Sequence, residues 1–180
     1  MNVLVSVFKM IEKILIPKER MPVLIGKDGS VKKRLEEATR TKIEIADDVT
    51  IHGEALDAMN ACNIIKAIGR GFDPSDAFEL LDESIILCII PLPNDKKVLK
   101  RLRARIIGTH GKCRKSIERL TKTKLSIYGK TASIIGEYEA VDLARSAIER
   151  LVSGYTHSNV YRFIEEEISN RSKELPESSI

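Results

Sequence analysis

Apolar positions change their spacing repeatedly along this chain, and each change marks an element. Short apolar runs from Ile11 to Ile16 and from Ser84 to Ile90 predict strands. Each is closed by a proline, Pro17 or Pro91, because proline cannot donate to a ladder and restricts the residue before it. A helical turn or short helix is expected after Pro17, and a longer helix from Asp95 to Ile107. Spacing of three to four then predicts helices over Ser30 to Thr39 (Val31, Leu35, Ala38) and Lys112 to Thr121 (Cys113, Ile117, Leu120). The period returns to two at Lys42 to Ile45 with Val49 to His52, and at Lys124 to Ile127 with Ala132 to Ile135. Asp47-Asp48 and Gly129-Lys130 supply the turns. Helices from Ala55 to Arg70 and Tyr138 to Ser153 follow. A last one, from about Ser158 to Ser169, carries Val160, Tyr161, Phe163, Ile164 and Ile168, a stripe expected to dock on the preceding domain.

The pattern occurs twice because the sequence does. Ile25 to Ile45 aligns without a gap onto Ile107 to Ile127, so that Gly26, Gly29 and Lys42 fall on Gly108, Gly111 and Lys124 at a constant offset of 82. Lys33 and Lys115, Glu36 and Glu118 and the Thr-x-Thr-Lys tract coincide as well. With one inserted residue the match resumes at Ile51-His-Gly-Glu54 against Ile134-Ile-Gly-Glu137. A domain-length repeat of strand, helix, Gly-x-x-Gly, helix, strand, strand, helix is therefore expected, an α+β organisation. The boundaries expected are 1–71 for the first domain, 72–83 for a helical connector, 84–155 for the second domain and 156–180 for a C-terminal helix and tail.

A Gly-x-x-Gly between two helices has a chemical use. Glycine lacks a Cβ, so the chain turns sharply and another backbone can come close. The following helix starts at the loop, turning its unpaired amides and the positive end of its dipole toward whatever lies there. Gly26, Lys27, Asp28 and Gly29, and Gly108, Thr109, His110 and Gly111, are thus candidates to hold a phosphate backbone. Lys32, Lys33 and Arg34 in the first copy, and Arg105, Lys112, Arg114 and Lys115 in the second, would add charge and salt dependence. Ile25 with Ile43, and Ile107 with Leu125, are expected to floor an aliphatic groove for bases.

Composition narrows the ligand. There is no Trp and only four Phe, which argues against a sheet that stacks bases on aromatic rings and is compatible with an aliphatic groove. The net charge of +4 is too small to identify a polyanion partner. Cys62, Cys88 and Cys113 form no close pair, so reduced, mostly buried thiols are expected. The apolar run at Met1 to Met10 is too short to span a membrane, which predicts a cytoplasmic chain. His52 and His157 join no ligand cluster, and no metal, cofactor or catalytic constellation is expected. His110 is a candidate for a phosphate or base contact.

These residues resemble the KH domain, in the type I arrangement, because two strands and a helix follow the Gly-x-x-Gly helix. The resemblance runs from about Glu12 to Glu167 and implies two tandem type I KH domains, each a three-stranded antiparallel sheet packed by three helices, with an added C-terminal helix. The connector Ala67-Ile-Gly-Arg-Gly-Phe-Asp-Pro-Ser-Asp-Ala-Phe-Glu-Leu-Leu81 and the tail Thr156-His-Ser-Asn-Val-Tyr-Arg-Phe-Ile-Glu165 look like the archaeal members of the Partner-of-Nob (Dim) family of ribosome-assembly proteins. That likeness implies a monomeric, non-catalytic protein binding near the 3′ end of the small-subunit ribosomal RNA. The partners it implies are the Nob endonuclease and the alpha subunit of translation initiation factor two. Eukaryotic relatives have lost the first Gly-x-x-Gly; it is intact here, which implies an archaeal source. An exosome-type or messenger-RNA-binding KH protein, or an RNA-processing enzyme, are the alternatives left open.

Overall fold

The computed structural model describes residues 9–174; residues 1–8 of the N-terminal apolar run and 175–180 of the tail lie outside the described residues. The chain divides between Glu83 and Ser84 into two compact units.

The first unit runs β1 (Lys9–Ile14), α1 (Met21–Ile25), α2 (Ser30–Thr39), β2 (Lys42–Ile45), β3 (Val49–Glu54), α3 (Ala55–Gly69) and the short α4 (Pro74–Ala77). The strands form an antiparallel sheet in the order β1-β3-β2, with Ile11 opposite His52 and Ile43 opposite Ile51. Its inner residues Ile14, Ile43, Val49 and Ile51 are buried, as are Leu24 of α1, Leu35 of α2 and Ala58, Ala61, Ile64, Ile65 and Ile68 of α3. Each such Ile or Leu contributes about 1.5–3 kcal/mol by leaving water. The connector folds back on α3, burying Phe72, Ala77, Phe78 and Leu80, whereas Leu81 stays exposed.

The second unit repeats this order as β4 (Ile85–Pro91), α5 (Lys96–Ile107), α6 (Lys112–Thr121), β5 (Lys124–Tyr128), β6 (Thr131–Glu137) and α7 (Tyr138–Val152), and adds α8 (His157–Glu174). Its sheet order, β4-β6-β5, is the same. Asp95 starts α5 by accepting from the amides of Lys97 (3.0 Å) and Val98 (2.9 Å), the role in which aspartate is worth about 1 kcal/mol. Helix α8 packs on α6 and α7 through Val160 and Ile164, both fully buried in one cluster with Ile106, Ile117, Ile134 and Ile148.

The repeated Glu and Thr-x-Thr find their reason at the helix-to-strand joint. Thr39 Oγ1 donates to the Leu35 carbonyl (2.7 Å) and lies 2.8 Å from Thr41 Oγ1; Thr121 does the same with Ile117 and Thr123, at 2.8 Å each. Glu36 accepts from the Ile43 amide (2.8 Å) and Glu118 from the Leu125 amide (3.0 Å). The glycine of the Ile-x-Gly-Glu match is explained too, since a Cβ on Gly53 or Gly136 would meet Thr41 or Thr123 Cγ2 at 2.8 or 2.9 Å.

Some expectations need adjustment. The first strand starts at Lys9 and ends at Ile14 rather than at Ile16. Pro91 ends the fourth strand from within it, which an edge position permits. The hairpin strands reach Glu54, Tyr128 and Glu137, because backbone pairing continues past the apolar alternation. Ala38 is exposed and Thr39 takes the buried place; Ile168 of α8 is also exposed.

Candidate RNA interface

Each Gly-x-x-Gly is set by its backbone before any side chain is considered. Gly26 has φ 75° and ψ 176°, and Gly108 has φ 72° and ψ 175°, a region essentially reserved for glycine. A Cβ there would also collide: at Gly26 it would stand 2.5 Å from Val31 Cγ2 and 2.8 Å from the Val31 nitrogen, and at Gly108 2.7 Å from Cys113 Cβ and 2.8 Å from the Cys113 nitrogen. The first glycine of each loop is therefore demanded by the packing of the helix that follows.

The second glycine differs. Gly29 and Gly111 are left-handed (φ 76° and 75°), but a Cβ on either would meet nothing within 4 Å. Their outer side is open. The residue before each is left-handed as well, Asp28 at φ 51° and His110 at φ 52°, which accounts for the residue types present, since Asp and His tolerate this conformation better than most. Helices α2 and α6 then begin without a side-chain cap; the Ser30 and Lys112 amides donate back to the carbonyls of Lys27 and Thr109 within the turn, and the positive ends of the two helix dipoles lie at the loops.

Lys27, Asp28, Thr109 and His110 are exposed, as are Lys33, Lys112 and Lys115, with Lys32 and Arg114 half-buried. Ile107 lines a cleft of about 130 Å³ together with Gly111, Arg114, Lys115 and Ile127. Ile127 was not among the expected groove residues. Leu125, which was, is 3% exposed, and its counterpart Ile43 is fully buried; both are core residues and cannot floor a groove. The apolar residue available lies two positions further along the same strand face, where the strand emerges from under the helix: Ile127, and by the repeat Ile45, both half-buried. Ile25 is 38% exposed at the end of α1, level with the loop.

Two arginines are placed otherwise than expected. Arg105 donates through Nη2 to the Tyr155 carbonyl, and its own carbonyl lies 2.9 Å from His157 Nε2, so it fastens α5 to the entry of α8 rather than serving the loop. Arg20 does the equivalent in the first unit, reaching the carbonyls of Ile68 (2.8 Å) and Phe72 (2.6 Å). Arg34 lies over the Phe78 ring, 4.2 Å from its centre, a cation–π contact that turns its charge toward the connector.

Cys62 and Cys113 are buried and Cys88 half-buried, all free. Burial pushes the Cys88 and Cys113 thiols up, the condition of unreactive structural cysteines. Among the described residues no group of His, Cys, Asp and Glu could hold a metal ion, and no helix is long and apolar enough to cross a membrane.

Two sheets of one topology, each served by a glycine-turned pair of helices, define a tandem type I KH protein. Residues 86–169 match the family described as "Eukaryotic type KH-domain (KH-domain type I)", and residues 11–67 match the KH domain. A KH domain-containing protein of Methanocaldococcus jannaschii is 41% identical over 169 residues, covering 88% of this chain and 74% of that one. Dim2p of Pyrococcus horikoshii, in a crystal structure with a/eIF2alpha and rRNA, is 42% identical with a TM-score of 0.85 over 92% of this chain and 97% of that one. The Pre-rRNA-processing protein PNO1 of Chaetomium thermophilum is 31% identical over 131 residues, 69% of this chain but only 49% of that protein. This chain belongs to the archaeal Dim (Partner-of-Nob) family of tandem KH-domain proteins.

Proposed function

We propose that this protein is a non-catalytic adaptor of small-subunit ribosome assembly that grips single-stranded ribosomal RNA, near its 3′ end, with both Gly-x-x-Gly loops. The observation that carries the reading is the open outer side of Gly29 and Gly111 at two uncapped helix starts. A sugar-phosphate chain laid against them meets positive helix ends and the ammonium groups of Lys32, Lys33, Lys112 and Lys115. Phosphate contacts of this kind position the strand without reading it, and the aliphatic residues beside each loop receive the bases.

The rRNA in the Dim2p crystal structure supports ribosomal RNA as the ligand over messenger RNA. The a/eIF2alpha in the same crystal supports the initiation factor alpha subunit as a partner. The Nob endonuclease is the further partner of this reading, the one that would supply the cleavage chemistry.

The test is a titration of labelled single-stranded RNA with the 3′ terminal sequence of the small-subunit rRNA. Lys27→Asp and the pair Thr109→Asp, His110→Asp should each weaken binding by about tenfold, and the combination by far more, through repulsion of the phosphates. Folded variants that bind like the parent would overturn the clamp. Cleavage or modification of the RNA by purified protein, with or without divalent metal, would overturn the non-catalytic assignment.

A further inference from the structure

The cleft beside the second loop contains an arginine paired with a carboxylate on its own helix. Glu118 is fixed from behind, its Oε1 accepting from the Leu125 amide at 3.0 Å, and its Oε2 stands 3.4 Å from Nε of Arg114. Arg114 lines the cleft with Ile107 and Ile127. The guanidinium is thus engaged along its Nε side, and its terminal nitrogens Nη1 and Nη2 remain as a planar pair of donors. The first unit lacks this device. Its equivalent residue is Lys32, a point charge, and the equivalent carboxylate, Glu36, instead meets Lys42 at 3.7 Å.

We infer that Arg114 is a base-reading residue, which gives the second groove a preference for guanine or cytosine at one position of the bound strand. The inference rests on the RNA-binding reading above. A fork of two parallel donors is matched by two adjacent acceptors. Guanine offers O6 and N7, the pair that arginine reads most often, and cytosine offers O2 and N3. Adenine and uracil alternate donor and acceptor along their exposed edges and satisfy only one arm. Ile107 and Ile127 receive the face of the base while its edge meets the fork. Lysine, with three donors on a rotating head, makes no such distinction, so the first groove is the less selective of the two.

Fluorescein-labelled uridine decamers carrying one A, C or G at the fifth position provide the test, titrated into the full chain bearing Lys27→Asp so that the second groove dominates. The G and C decamers are expected to bind about tenfold more tightly than the A decamer, within the range of one bidentate pair. Arg114→Lys keeps the charge but loses the fork, and should bring the four decamers within about twofold of one another. Glu118→Gln retains an acceptor for the Leu125 amide but loses its carboxylate hold on Nε, and should give an intermediate preference. Equal binding of all decamers before Arg114 is changed, or a G and C preference that survives Arg114→Lys in a folded chain, would overturn the inference. If no decamer bound the Lys27→Asp chain better than the same chain also carrying Thr109→Asp and His110→Asp, the reading of the second loop as an RNA clamp would itself fall.

Discussion

The two units build their loops from backbone angles that agree within 3°, Gly26 with Gly108, Asp28 with His110 and Gly29 with Gly111, yet they dress those loops differently. The first carries Lys27 and Asp28 where the second carries Thr109 and His110. The second loop is preceded by a twelve-residue helix with six basic residues, the first by the five-residue helix Met21–Ile25 without one. Geometry is held fixed by glycine, by the collision it avoids, and by the Thr-x-Thr joint. Charge and base contacts are free to diverge on that fixed frame, so two grooves of one shape need not share a preference.

The comparison can be pressed hardest at the first glycines. Gly26→Ala and Gly108→Ala each force an alanine into a glycine-only region against the backbone of the next helix, and should destabilise their units by about 3 kcal/mol or more, read by urea unfolding. Thr39→Val and Thr121→Val remove the buried hydroxyl that serves a carbonyl and a second hydroxyl. Each should cost about 1–3 kcal/mol, by similar amounts in the two units, and unequal losses would show that the joints are not equivalent. Gly29→Ala and Gly111→Ala should cost only about 1–2 kcal/mol, the penalty of a left-handed alanine, with RNA affinity falling further than stability because the methyl stands where the strand would lie. Smallest is a salt effect. Lys112→Ala with Lys115→Ala should flatten the slope of log K against log salt by about 0.7 for each phosphate that is no longer neutralised, and Lys32→Ala with Lys33→Ala gives the first unit's share.

Helices α2 and α6 have the ends that the sequence predicts, because the glycines before them and the change of period after Thr39 and Thr121 are strong local signals. Strand ends were less legible, since Gly53, Glu54, Gly136 and Glu137 pair through backbone that side-chain pattern does not describe. The groove floor differs from the expectation for a related reason. Ile43 and Ile45, or Leu125 and Ile127, share one strand face, and alternation alone cannot say where the covering helix stops. Arg34 and Arg105 illustrate a further gap: a sequence gives the charge of a long side chain but not its direction, which here is set by an aromatic ring and a carbonyl from 44 to 50 positions away.

The unequal duties of the paired glycines bear on how such repeats drift. A copy released from gripping anything would still be obliged to keep Gly26 or Gly108, since folding itself polices that residue, whereas Gly29 or Gly111 would be at liberty to acquire a side chain. Among descendants of one duplication, the fourth residue of the loop is therefore the one whose loss records retirement from service.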